Sequence, residues 1–346
     1  MPNTSGPERR TAPGSAAGVF DTVADAFSFI LGRPWLIIVP LLTDLVVWLV
    51  LNVSIQPLTK NIARFIENSG ATDSDLAADS IRTMGESARV SDGLGAFLPS
   101  VFSGLSLDSV LNILVTAFSP NMGFGIDRTI PEALWSGGLF GSWEPASAGM
   151  VALIGVACAL AGTLLLAIFR VPLARAVRGE DLAAGIVPEI GLAWLHFIGF
   201  LALLAVAAVV ALIPILIAST VFLILGFNLI FVVTMALFIF GGMASVYTLF
   251  MVDAMLLHRT GPIRAFRTST HIGRLYFGQV ARFALTSIFV MLGALQLWTR
   301  MADSLPGMTI ALVANAFLGT AFSFAGMLFY ADRFRQTRIR ERAHRR

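Results

Sequence analysis

Residues 197–252 read FIGFLALLAVAAVVALIPILIASTVFLILGFNLIFVVTMALFIFGGMASVYTLFMV, 56 residues between His196 and Asp253 with no charge among them. At a helical rise of about 1.5 Å per residue, the run is far too long for one membrane span of roughly 20 residues. It reads as a tight hairpin of two spans, turning near Ser219, Thr220 or residues 226–228. The rest of the sequence agrees with that reading. The 346 residues are 56% hydrophobic and 13% charged, with mean hydropathy +0.80. An ordinary soluble domain is about 25% charged. A disordered chain, a disulfide-rich secreted domain and almost any soluble enzyme are thereby excluded, and an integral membrane protein is expected.

Further spans follow from the other charge-poor runs. Asp44 is the one charge between Arg33 and Lys60, which gives a first span near 34–54. Residues 145–169, between Glu144 and Arg170, give a second. Residues 283–299, between Arg282 and Arg300, give a short fifth, and 304–331 a sixth. Residues 1–17 are rich in Pro, Gly, Ser and Thr and read as a disordered N-terminus. Residues 18–32 carry Phe20, Val23, Phe27, Ile30 and Leu31 on one face of an amphipathic interface helix. That helix is expected to lead into the first span without a break, so 18–54 forms one unit. Residues 148–331 form a five-span core, and 332–346 a flexible basic tail.

Orientation follows from the loops. Arginines before span one, after span two, between spans four and five and in the tail total 18 on one side, against 6 basic residues on the other. The richer side belongs in the cytoplasm, so both termini are expected there, in a plasma (inner) membrane. Trp35, Trp194, Tyr276 and Tyr330 fall at the inner interface, and Trp143 and Trp298 at the outer one. Only Lys60 among the 24 basic residues is a lysine, a bias that points to GC-rich coding and a bacterial source. Residues 55–147 form an extracytoplasmic insertion with 5 basic and 10 acidic residues. Helices are expected at 57–69 and 73–89. The apolar stretch 94–118 belongs to the insertion's small core or the interface, because a seventh span would split the arginine clusters between the two sides.

Three stretches before outward-going spans look alike. ADAFSFILGRPW at 24–35, AAGIVPEIGLAW at 183–194 and AFRTSTHIGRLY at 265–276 all fit A-x3-[SV]-x3-G-x2-[WY]. The small residues at i, i+4 and i+8 share one helix face and permit close packing on a neighbour. The aromatic anchors the approach to the bilayer. The expected fold is therefore all-α, with six transmembrane helices in three hairpin repeats, the first carrying the small helical insertion. The third copy and its flank, GPIRAFRTSTHIGRLYFGQVARF at 261–283, resembles a pattern in bacterial multi-pass proteins. It is similar to the membrane domain attached to some glycerophosphodiester phosphodiesterases. The resemblance would cover 18–54 and 148–331. The chemistry of that family lies in a separate soluble barrel of about 250 residues, whereas the longest soluble stretch here is 55–147. No catalytic residue is carried over.

Enzyme motifs are absent: the sequence has no H-E-x-x-H, G-x-x-x-x-G-K-[ST], G-x-S-x-G or S-x-x-K. His196, His258, His271 and His344 are scattered and read as interface histidines, not as a metal cluster. Cys158 reads as a buried, inert thiol. No cofactor is implied. Asp44 stands out at the middle of span one, where a carboxylate costs about 2.5–3.5 kcal/mol on insertion scales and is expected to face the bundle interior. Pro40, one turn earlier, deprives the Leu36 carbonyl of its partner. A broken helix beside a midplane acid resembles a transporter ion site; the alternative is a structural Asp hydrogen-bonded to Asn315. Basic charge without a soluble domain points to anionic lipid, not nucleic acid. Arg264, Arg267 and Arg274 share one face of the helix before span five, with Arg282 at the span's start. These are expected to touch headgroups, whereas the tail arginines only set topology. The leading expectation is a non-enzymatic accessory or envelope component. The alternatives are an ion-coupled transporter or channel using Asp44, and an intramembrane lipid enzyme.

Overall fold

The structure is a computed structural model that describes residues 18–49, 56–68, 78–79, 82, 145, 147–224, 249–301 and 304–344. Every regular element among them is helical. Numbered along the described residues, these are α1 (Val19–Leu31), α2 (Ile38–Leu49), α3 (Gln56–Glu67), α4 (Ala148–Arg178), α5 (Ile186–Ile224), α6 (Met251–His258), α7 (Pro262–Leu275), α8 (Phe277–Met301) and α9 (Leu305–His344). Four of them, α4, α5, α8 and α9, are long and apolar enough to cross a membrane; the bent pair α1–α2 would be a fifth. The expected span four and the candidate turn at 226–228 lie outside the described residues. The other candidate turn is excluded, because α5 runs on as helix through Ser219 and Thr220.

The passage from α1 to α2 is not continuous, contrary to expectation. The axes bend by 98° across a 3-10 turn at Pro34–Ile37. The cause is local: Pro34 drives the preceding Arg33 out of the helical region, to φ −142° and ψ 63°. Pro40 then falls in the first turn of α2, where amides have no intrahelical acceptor and a proline costs little. The break therefore precedes Asp44 by two turns or more, and Asp44 sits inside an unbroken helix.

Helix α9 is the hub. It packs against α1, α2, α4, α6, α7 and α8. Its phenylalanines interlock with α1 through Phe27–Phe317 and Phe29–Phe324, at ring separations of 5.6 and 4.2 Å. Lower down, Phe329 stacks on both Phe283 and Phe250. Such pairs each contribute about 0.5–1.5 kcal/mol beyond area burial. At 40 residues and about 1.5 Å each, α9 is twice as long as a hydrocarbon core of about 30 Å is thick. It therefore has more residues than a single crossing needs, and the excess at its arginine-bearing C-terminal end is ordered helix. The flexible tail expected at 332–346 is instead helical through His344, with Arg333 and Thr337 buried.

The repeat is realised unevenly. In α7 the matched positions Ala265, Ser269, Gly273 and Tyr276 are all buried. In α1 the buried positions at the same spacing are Thr22, Ala26 and Ile30, while Ala24, Ser28 and Gly32 are exposed. The second copy forms no separate interface helix; its residues start α5, with Val187 exposed. Within the insertion, α3 agrees with the helix expected at 57–69 and lays Leu58 against Val151 of α4. The stretch 94–118 and nearly all of 73–89 lie outside the described residues.

Candidate functional site

The arginine-bearing ends of α4, α6, α7 and α9 meet at one end of the bundle. A chain reversal at residues 179–185 makes this possible. Gly179 ends α4 at φ 72°, a left-handed conformation that glycine adopts without cost, and its N–H and that of Glu180 return to the last carbonyls of α4. Arg175, buried, spans the reversal. Its Nε donates to the Asp181 carbonyl at 2.7 Å, Nη2 donates to the Ala184 carbonyl and Nη1 to Glu189 Oε2 at 2.8 Å. Arg178 grips Glu180 with two donors at 2.8 and 2.9 Å, and also reaches Glu189 and the Leu256 carbonyl. Arg259 closes the cluster from α6, donating to Glu180 at 2.9 Å and to Glu189 at 3.2 and 3.3 Å. Two glutamates thus hold three arginines and tie the α4–α5 hairpin to α6. The Arg178 guanidinium holds the Glu180 carboxyl below its usual range. Arg259 caps α6 at φ 49°, a strained conformation for a non-glycine residue, and its ion pairs fix it there.

Deeper in, Arg170 Nη1 donates to Asp253 Oδ1 at 2.9 Å, joining α4 to α6. The Asp253 side chain is 6% exposed and that of Arg170 21%. Gly326 of α9 leaves room for this pair: a Cβ there would lie 3.5 Å from Asp253 Oδ2. Beside it, His258 Nε2 and the Tyr330 hydroxyl are 3.1 Å apart. Burial pushes the His258 imidazole below its ordinary range, and the nearby Arg338 charge adds to this.

The acids Glu180, Glu189 and Asp253 are therefore committed to Arg170, Arg175, Arg178 and Arg259. The four arginines expected at lipid headgroups have no such partners. Arg264, Arg267, Arg274 and Arg282 are exposed and make no ion pair with any described residue. At 100° per residue, Arg264, Arg267, His271 and Arg274 form a stripe opposite the buried Ala265–Ser269–Ile272 face of α7. Exposed Ile263, Phe266 and Leu275 flank that stripe.

Asp44 is fully buried on α2, and Asn315 is buried on α9, which packs against α2. Cys158 is half-buried, not enclosed. Two of the expected interface aromatics are interior. Tyr330 is fully buried against His258, and Tyr276 is buried beneath the guanidinium groups of Arg333 and Arg340. Among the described residues no group of three metal-ligating side chains converges.

Sequence reasoning missed the glutamate–arginine cluster and the ordered basic end of α9. One signal was available for the first: Glu180 and Glu189 are acids within an arginine-rich flank. The sequence matches no protein-family model, and searches of curated proteins and of solved structures found no similar chain.

Proposed function

We propose that this protein is a non-enzymatic accessory component of the cytoplasmic membrane. In this reading it has six spans and both termini in the cytoplasm, and it holds anionic lipid against its inner face through α7. One observation carries the reading: the α7 arginines form an ordered stripe opposite the buried face, while the nearby acids are taken by other arginines. A solvated basic face on a flexible segment would serve topology alone. A face fixed on a packed helix keeps its charges together after insertion, and each contributes about 1 kcal/mol near an anionic leaflet. The flanking Ile263, Phe266 and Leu275 suit a helix lying in the interfacial plane. The convergence of the arginine-bearing ends supports the orientation drawn from the basic-residue count.

The test is hydrogen exchange on the reconstituted protein. Residues 261–278 should exchange more slowly in bilayers containing phosphatidylglycerol than in phosphatidylcholine, and raised salt should abolish the difference. Equal exchange in both bilayers would leave the arginines with no role beyond orienting the chain.

A second reading, an ion-coupled transporter using Asp44, draws on the burial of that carboxylate on α2 against α9. The unbroken helix around it weakens the likeness to a transporter's interrupted span. An ion-linked flux abolished in Asp44→Asn would favour this reading. An intramembrane lipid enzyme has less support, since Asp253 is engaged by Arg170 and His258 by Tyr330.

A further inference from the structure

The C-terminal end of α9 runs past the ends of α4 and α6 and forms with them a solvent-open cavity of about 430 Å³. Its volume falls in the range of small-molecule sites, about 300–1,000 Å³. Arg335, Arg338 and Arg342, at i, i+3 and i+7 on one face of α9, line one wall. Arg178 and His258 line the other. Among the described residues no carboxylate lines the cavity; Asp332 and Glu341, the acids of this stretch of α9, are not part of its lining.

The donors of Arg178 are already spent on Glu180, Glu189 and the Leu256 carbonyl. Those of Arg335, Arg338 and Arg342 are not: none makes an ion pair with a described residue. Arg338 is nonetheless positioned, with its guanidinium 4.8 Å from the centre of the Phe334 ring. That ring lies 4.1 Å from His258. Three like charges on one helix face repel one another. Here an ordered helix keeps them together around a concave space with an apolar floor of Val177, Leu257 and Phe334. Guanidinium forks match the oxygens of a phosphate ester in pairs, and the apolar floor suits the carbon skeleton attached to it.

We infer that this cavity binds a phosphate ester, its phosphate held by Arg335, Arg338 and Arg342 and its carbon portion resting on Leu257 and Phe334. The site stands apart from the α7 stripe and does not depend on it. The phosphate has two sources, the headgroup of an anionic phospholipid in the adjoining leaflet or a soluble phosphorylated metabolite, and the experiment separates them.

The full-length protein is purified in mild detergent and titrated with short-chain phosphatidylglycerol, with the phosphatidylcholine analogue and with glycerol 3-phosphate, bound species being counted by native mass spectrometry. One saturable phosphatidylglycerol with no glycerol 3-phosphate competition identifies a lipid site; saturable glycerol 3-phosphate identifies a soluble ligand. Either should weaken ten- to hundred-fold in Arg335→Gln/Arg342→Gln, whose side chains are exposed and whose thermal stability should match the parent. The triple α7 variant Arg264→Gln/Arg267→Gln/Arg274→Gln should bind as the parent does. Absence of saturable binding by either phosphate ester, equal binding of phosphatidylcholine, or undiminished binding in the α9 variant would overturn the assignment. Loss in the α7 variant alone would assign the ligand to α7 instead.

Discussion

Glu189→Gln removes the charge shared by three arginines and keeps the side chain's shape. The structure ranks what each arginine then loses. Arg259 is 50% exposed, and pairs of that kind contribute about 0–1 kcal/mol. Arg178 keeps both of its bonds to Glu180. Arg175 is different: its side chain is 7% exposed and Glu189 is its carboxylate partner, leaving it the carbonyls of Asp181 and Ala184. Breaking a buried pair costs about 3–5 kcal/mol; the two remaining acceptors place this case at the lower end, about 3 kcal/mol. Arg259→Ala should cost under about 1 kcal/mol. Arg259→Gly should come close to neutral, because relief of the φ 49° backbone, on the order of 1 kcal/mol, offsets the lost pairs. Reversible unfolding in bicelles by steric trapping measures all three. A cost below about 1 kcal/mol for Glu189→Gln, or an equal cost for Arg259→Ala, would refute the ranking of buried over exposed pairs on which the argument rests.

Asp253→Asn should destabilise by about 2–3 kcal/mol, less than a fully enclosed pair because the partly exposed Arg170 side chain can reach toward the interface; the same unfolding assay reads it. At Gly326, alanine fits in ordinary contact with Asp253 and should be tolerated, whereas leucine should cost about 1–3 kcal/mol through overpacking. Stability should fall with pH in two windows. His258 has a depressed folded pKa, so its contribution is intact above the ordinary value of 6.5 and is lost as pH falls through the folded pKa. Glu180 is likewise depressed, below 4.5, so its contribution disappears at lower pH still; thermal scans between pH 8 and 3 follow both, and His258→Phe should remove the first window. Reporter fusions at Gly6 and after Arg346 should read cytoplasmic and one at Asp75 extracytoplasmic; a cytoplasmic signal at Asp75 would rule out the six-span arrangement.

Local physics was legible in the sequence, and distant pairing was not. Charge-free runs located α4, α5, α8 and α9 because insertion into lipid depends on the composition of each segment alone. The small residues Ala265, Ser269 and Gly273 revealed the buried face of α7 because spacing alone puts them on one side. The same pattern failed at α1. There the Phe27 and Phe29 contacts with α9 turn Thr22, Ala26 and Ile30 inward, and tertiary packing overrides the small-residue match. The proline rule was right in kind and misplaced: Pro34, not Pro40, breaks the chain, because only Pro34 acts on a residue that must leave the helix. Nothing local announces that Arg170 pairs with Asp253, 83 residues away, or that Arg259 pairs with Glu189, 70 residues away.

That distinction bears on the meaning of the arginines. A topology signal requires only that positive charge be present near a span during insertion; it does not require order, partners or a common face. Arg170, Arg175, Arg178 and Arg259 exceed that requirement, since acids from other helices neutralise them and they lock α4, α5 and α6 together. Arg264, Arg267 and Arg274 on α7 exceed it differently: they are held by a packed helix and make no ion pair with a described residue. Arg335, Arg338 and Arg342 are a third case, making no ion pair with a described residue, like the α7 set, but lining a solvent-open cavity in place of a convex helix face. Raised salt should strip headgroups from the exposed α7 stripe first, because screening acts within a Debye length of about 8–10 Å on solvated charge. A phosphate ester held by several guanidinium forks at once in the α9 cavity should be displaced at higher salt. Two separate salt midpoints, each removed by its own set of Arg→Gln substitutions, would follow from two independent basic surfaces; one midpoint removed by either set would mean that the surfaces act as one.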